Sequence, residues 1–159
     1  MIAAAIAAVV AVGGYLFNGV LARIATRREA FAEALAEVQR YNQLPYRFRR
    51  RPDDSPATID RLATLLGDTQ ARLAYHRRRI ELEDAKVADA FNSYVDKLRE
   101  TNSRHRRDAL SRSAATVPLD IEFDGYPFSA RDERQRCVDA MRENLSLQAS
   151  LRRTFRRRR

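Results

Sequence analysis

Cysteine occurs once, at Cys137, so no disulfide framework can staple this chain, and a reducing compartment suits it. Glycine is also sparse: five residues, two of them the adjacent Gly13 and Gly14, provide no Gly-rich phosphate loop. The two histidines, His76 and His105, lack the H-E-x-x-H spacing or the paired cysteines of a zinc site. Carboxylates are plentiful, yet their spacing singles out no acid–base pair. An enzyme is therefore not expected, and neither a cofactor, a metal nor a small-molecule substrate is inferred. Lysine is nearly missing, with Lys86 and Lys97 standing against 28 arginines. Together with abundant alanine, that bias fits GC-rich coding, as in an actinobacterium or its phage, and lowers the weight of any one arginine.

Charge is missing altogether from Ile2 to Ala22, a run of 21 residues. As a helix it reaches across the ~30 Å hydrocarbon core of a bilayer at ~1.5 Å per residue. A cleaved signal peptide would need positive residues ahead of the run, and the first basic residue is Arg23. The other alternative is a buried helix of a soluble hairpin, because Ala dominates Ile2 to Ala11. A single-pass transmembrane anchor is the expectation for 1–22. Arg23, Arg27 and Arg28 follow the run and nothing basic precedes it. The positive-inside rule then predicts an inner-membrane protein with its N-terminus outside and residues 23–159 cytoplasmic.

Beyond the anchor the periodicity is helical, and the predicted class is all-α. Ile24, Phe31, Leu35 and Val38 make one apolar stripe, continuing the first helix to Leu44-Pro45, where proline disfavours a helical predecessor. Glu29, Glu33 and Glu37 make a second stripe that calls for a basic partner. Ser55-Pro56 reads as an N-cap followed by proline at the first helical position. From there Ile59, Leu62, Leu66, Leu73 and Ile80 keep heptad spacing, with Thr69 and His76 at intervening seam positions. The set Val87, Phe91, Tyr94 and Leu98 follows in shifted phase, so a bend or break is predicted near 80–86.

The layout is thus an anchor at 1–22, a coiled-coil-like antiparallel helical hairpin at 23–116, an extended strap at 117–128, and a third, C-terminal helix with an Arg-rich tail at 129–159. The polar stretch 101–116, with Arg104, His105, Arg106 and Arg107, reads as a frayed end and linker. Asp120, Glu122, Asp124 and Gly125 resemble the start of an EF-hand loop, but Arg131 occupies the twelfth position and Pro127 interrupts the middle. Ser129 to Asp132 reads as a capping box. Cys137 lies on the apolar face of the last helix and is read as a structural thiol.

Two groups of arginines are candidate contacts. Folding the hairpin with Leu44 opposite Ala57 brings Arg77, Arg78 and Arg79 level with Arg23, Arg27 and Arg28, a basic collar at the membrane surface where anionic lipid headgroups lie. The second group comprises Arg47, Arg49, Arg50 and Arg51, interleaved with Tyr46 and Phe48, plus Arg152, Arg153, Arg156, Arg157, Arg158 and Arg159. The net charge is +9, and that tail holds six of it, leaving the rest at only +3. Such segments hold anionic lipid or nucleic acid through phosphates. The bland reading of the loop has Tyr46 and Phe48 plugging the end of the bundle.

Phe17-Asn18, the basic residues after it and the continuous helix to Gln43 loosely resemble LemA-type bacterial membrane proteins, a likeness that implies a span followed by a helical bundle. Pro45 and the arginine loop depart from that pattern. The leading expectation is a non-enzymatic, membrane-anchored scaffold offering its hairpin to a protein partner or to further copies of itself. The alternatives are a membrane-tethered nucleic-acid-binding accessory and a phage lysis protein of the spanin type.

Overall fold

The computed structural model describes residues 2–114 and 130–146, with side chains from Gly13 onward except that of Leu16. Five helices follow in order: α1 Ile2–Asn42, α2 Leu44–Arg49, α3 Pro56–Glu83, α4 Ala85–Ser111 and α5 Arg131–Leu145. Among the described residues there is no strand, and the all-α class is what is found. The strap 117–128 with its EF-hand-like residues, Ser129, and the tail Arg152–Arg159 lie outside the described residues.

The long helices form an antiparallel bundle of four. α3 runs back along α1, with Arg79 Nη1 bonded to Glu33 and Arg27 Nε to Glu83. α4 runs back along α3, with Arg77 paired to Asp96. α5 runs back along α4, with Glu143 near its end meeting Lys86 at the start of α4. It also touches α1, which closes the ring. Phe31, Val38, Leu73, Ile80, Phe91, Val95 and Met141 fill the interior. Each such side chain contributes about 1.5–3 kcal/mol by leaving water. A core shared by four helices replaces the two-helix coiled coil expected for 23–116.

The break expected between 80 and 86 falls at Asp84. Its backbone is extended (φ −164°, ψ 121°), and it is at once the C-cap of α3 and the N-cap of α4, accepting from Val87 N through its carboxylate. One residue therefore both makes the expected break and reverses the chain. The connection from α1 to α3 takes another form. Pro45 does end α1, but the chain re-enters a helix at once as α2, burying Leu44 and Phe48. Ser55 then caps α3 by accepting from Thr58 N, with Pro56 at its first position.

α4 does not fray after residue 100. Thr101, Asn102, His105 and Ala109 are buried, continuing the stripe of Phe91, Tyr94 and Leu98 in polar residues. Asn102 donates to the Tyr41 carbonyl at 3.1 Å, so it caps the end of α1 across the bundle.

The anchor expectation is corrected. Among the described residues no helix is long and apolar enough to cross a membrane. From Gly13 onward α1 meets Tyr15, Asn18, Arg23, Arg27, Arg28 and Glu29 within five turns, and Val20 is already covered by protein. The side chains of residues 2–12 lie outside the described ones. The predicted single-pass inner-membrane placement is therefore not carried forward, nor is the spanin layout, which needs the same span. The Arg27–Glu83 pair fixes where α1 leaves the bundle: everything before about residue 20 extends past the α3–α4 reversal.

Candidate functional site

The two ends of the bundle differ in kind, and each carries a candidate surface. At the α1–α3 connection the organising side chain is Arg51. Only 3% exposed, it spends its guanidinium within the fold: Nε on Asp54, Nη1 on the carbonyls of Phe48 and Ala109, and Nη2 on the carbonyl of Arg112. That fork ties α2 and the end of α4 together. Arg51 was a candidate for lipid or nucleic-acid contact, and its burial removes it from that role. Arg49 donates to the Ser113 carbonyl at 2.6 Å. Arg106 donates to the Tyr41 hydroxyl at 3.3 Å, and its guanidinium carbon lies 5.9 Å from that ring's centre.

Arg47 of α2 and Arg50, which caps its C-terminus, are exposed. Together with Arg61 of α3 they border a cleft of about 660 Å³ whose floor includes Gln39, Asn42 and Tyr46. Among the described residues no carboxylate lines it. Tyr46 keeps its proton past the usual tyrosine range, because burial outweighs the neighbouring Arg50 guanidinium. A second cleft of about 630 Å³ lies across α1, sharing Gln39 and Asn42 and bordered by Arg131 and Arg134 of α5. Sequence reasoning found Arg47 and Arg50 through their aromatic interleaving. It missed Arg61, Gln39 and Asn42, whose polar neutrality or isolation in a helix gives no signal.

At the other end, α1 passes the Asp84 reversal and carries Tyr15, Phe17 and Leu21 at 81%, 52% and 41% exposure. Leu82, in the last turn of α3, is 88% exposed. Among the described residues, a Cβ added at Gly13, Gly14 or Gly19 would meet nothing within 4 Å.

The basic collar does not assemble as expected. Arg79 stands beside Glu33, about ten residues or roughly 15 Å along α1 from the expected register. The shift arises because residues 44–55, expected to be a loop closing the hairpin at Leu44, form α2 and a turn after the end of α1, so α3 begins farther along than a reversal at Leu44 allows. Arg27 pairs with Glu83 and Arg77 with Asp96, whereas Arg23, Arg28 and Arg78 remain exposed. Of the acidic stripe, Glu33 finds its basic partner on α3 and Glu37 finds Arg40 on its own helix.

Between the ends lies a polar layer. Glu37 is buried with one oxygen unbonded, and His76 on α3 faces it with Nδ1 unbonded. Burial lowers the His76 pKa, and Glu33 and Glu37 only partly offset that. Cys137 is buried in the α5 interface, and burial pushes its thiol up to about 11. A thiol so placed is protonated at neutral pH, which fits the structural reading. Among the described residues no cluster of three His, Cys, Asp or Glu side chains can hold a metal ion. No protein-family model matches the chain, and no curated protein and no solved structure matches it either.

Proposed function

We propose that the protein is a non-enzymatic helical scaffold that assembles with further copies of itself through the part of α1 that projects from the bundle. The observation that carries this reading is the exposure of Tyr15, Phe17 and Leu21 on a helix whose later turns are core. Ile2 to Ala22 bears no charge on any side. A helix apolar all round is stable in water only when covered all round. One flat partner would leave half of it wet, so the occupant is a bundle of three or more α1 helices. The absence of charge also favours a second copy over an unlike partner, because no complementary field is on offer.

Sedimentation equilibrium of the full chain tests this against Phe17→Glu/Leu21→Glu, two exposed positions whose change leaves the core intact. The full chain is expected to sediment at three or more times its 18.3 kDa mass, and the double variant at a lower multiple. A full chain that stays monomeric at tens of micromolar would overturn the proposal.

A further inference from the structure

We propose that the cleft between the end of α1, α2 and the first turns of α3 binds a nucleoside phosphate. The inference stands apart from self-assembly, since it concerns the opposite end of the molecule. The exposed Arg47 and Arg61 line one hollow together with Arg50 and the buried Arg51, and among the described residues no carboxylate lines it. Arginine placed so is the side chain best matched to phosphate oxygens. The acid that feels Arg61 is Asp53, whose carboxyl is held low first by the Ser55 hydroxyl and only lastly by Arg61. Asp53 already has hydrogen-bond donors in the Ser55 amide and hydroxyl.

Size and chemistry narrow the ligand further. About 660 Å³ far exceeds an inorganic phosphate and matches pockets that take small organic molecules. The half-buried Tyr46 and Leu62 give the hollow a wall on which a planar ring can rest. Gln39 and Gln43, also in the lining, carry both donors and acceptors, the pairing chemistry of a base edge. Cation, ring and carboxamide thus occur together in one hollow. The nucleoside phosphate can come free or as the 5′ end of a single strand, and the two sources share this recognition.

Isothermal titration of the full chain with AMP, GMP, CMP and UMP at low salt tests the assignment, with ribose 5-phosphate and inorganic phosphate as partial ligands. At least one mononucleotide is expected to bind, and ribose 5-phosphate more weakly by about tenfold or more. Arg47→Ala/Arg61→Ala, at two exposed positions, is expected to weaken binding by at least about tenfold while the helical circular dichroism is unchanged. Arg142→Ala, on the exposed face of α5, is expected to leave it unchanged. Absence of binding by any mononucleotide, equal affinity for ribose 5-phosphate, or an unaffected double variant would each overturn the proposal. A 5′-phosphorylated oligonucleotide separates the sources. Affinity above the mononucleotide's, with a steeper salt dependence, assigns the site to a strand end, and equal affinity assigns it to the free nucleotide.

Discussion

The chain reverses direction at both ends of the bundle, and it does so by opposite means. At one end a single residue, Asp84, closes α3 and opens α4, with its carboxylate on Val87 N. At the other end thirteen residues, 43–55, are used; they fold into α2 and are pinned from within by Arg51. The first turn depends on local backbone chemistry, so its parts lie next to one another in sequence. The second depends on a buried cation that reaches the carbonyls of Ala109 and Arg112, about sixty residues away. A local device costs little to lose and little to repair, whereas a device that links distant segments fails with both of them.

The largest effect that can break this contrast belongs to Arg51. Arg51→Ala leaves the Phe48 and Ala109 carbonyls buried without their donor, and the expected loss is about 3 kcal/mol in urea unfolding followed by circular dichroism. Arg51→Lys should recover little, because a point ammonium cannot span the same fork.

Asp84→Ala should cost less, about 1 kcal/mol, the usual value of an N-cap carboxylate. Asp84→Asn keeps an acceptor for Val87 N and should restore most of it. If the alanine variant lost as much as Arg51→Ala, the distinction between local and distant devices would collapse.

Gly67 sharpens the comparison from the other side, since it sits in the run of α3 away from both turns. A Cβ there meets nothing within 4 Å. Gly67→Ala should therefore stabilise the protein by about 0.5–1 kcal/mol through helix propensity alone. The same unfolding experiment reads it, and a destabilised variant would mean that α3 is crowded where the structure leaves it open.

The smallest effect concerns His76, in the polar layer between the two ends. Its pKa is lowered in the folded state, by burial above all, against the carboxylates of Glu33 and Glu37 on α1 and with Arg79 on its own helix. The unfolded chain then binds the proton more tightly, so stability is fully present above the ordinary histidine value of about 6.5 and falls as pH drops towards the folded value. Between about pH 7.5 and about 5.5 the wild type should lose stability and His76→Gln should lose less. Equal pH profiles would show that His76 titrates the same way folded and unfolded.

The same contrast between local and distant devices explains what could be read from the sequence. Ser55-Pro56 announces its helix start, and the phase shift after Ile80 announces the interruption, because both signals are local. The reversal at Asp84 is not legible, since a bend and a full turn leave the same periodicity on either side. Asn102 and His105 read as part of a polar linker, yet both are buried, and Asn102 is held there by the Tyr41 carbonyl, a partner distant in sequence. The register of α3 on α1 slips because α2 hides in a stretch rich in arginine and interrupted by Pro45 and Pro52. The cleft at that end was half legible: Arg47 and Arg50 announce themselves beside Tyr46, whereas Arg61 reaches the same hollow only through the fold. For the N-terminal run, lack of charge alone does not separate a helix meant for lipid from one meant for other helices.

The central claim is that α1 leaves the bundle near residue 20 and is covered there by other copies of the same helix. Hydrogen–deuterium exchange on the full chain, comparing amides 13–19 with amides 30–41, tests it most directly. The account expects the projecting amides to be protected at high protein concentration, approaching those of the core, and to lose protection on dilution or in Phe17→Glu/Leu21→Glu. An uncovered helix of that length would fray and exchange quickly. Rapid exchange at residues 13–19 that is independent of concentration, beside a protected 30–41, would contradict the account.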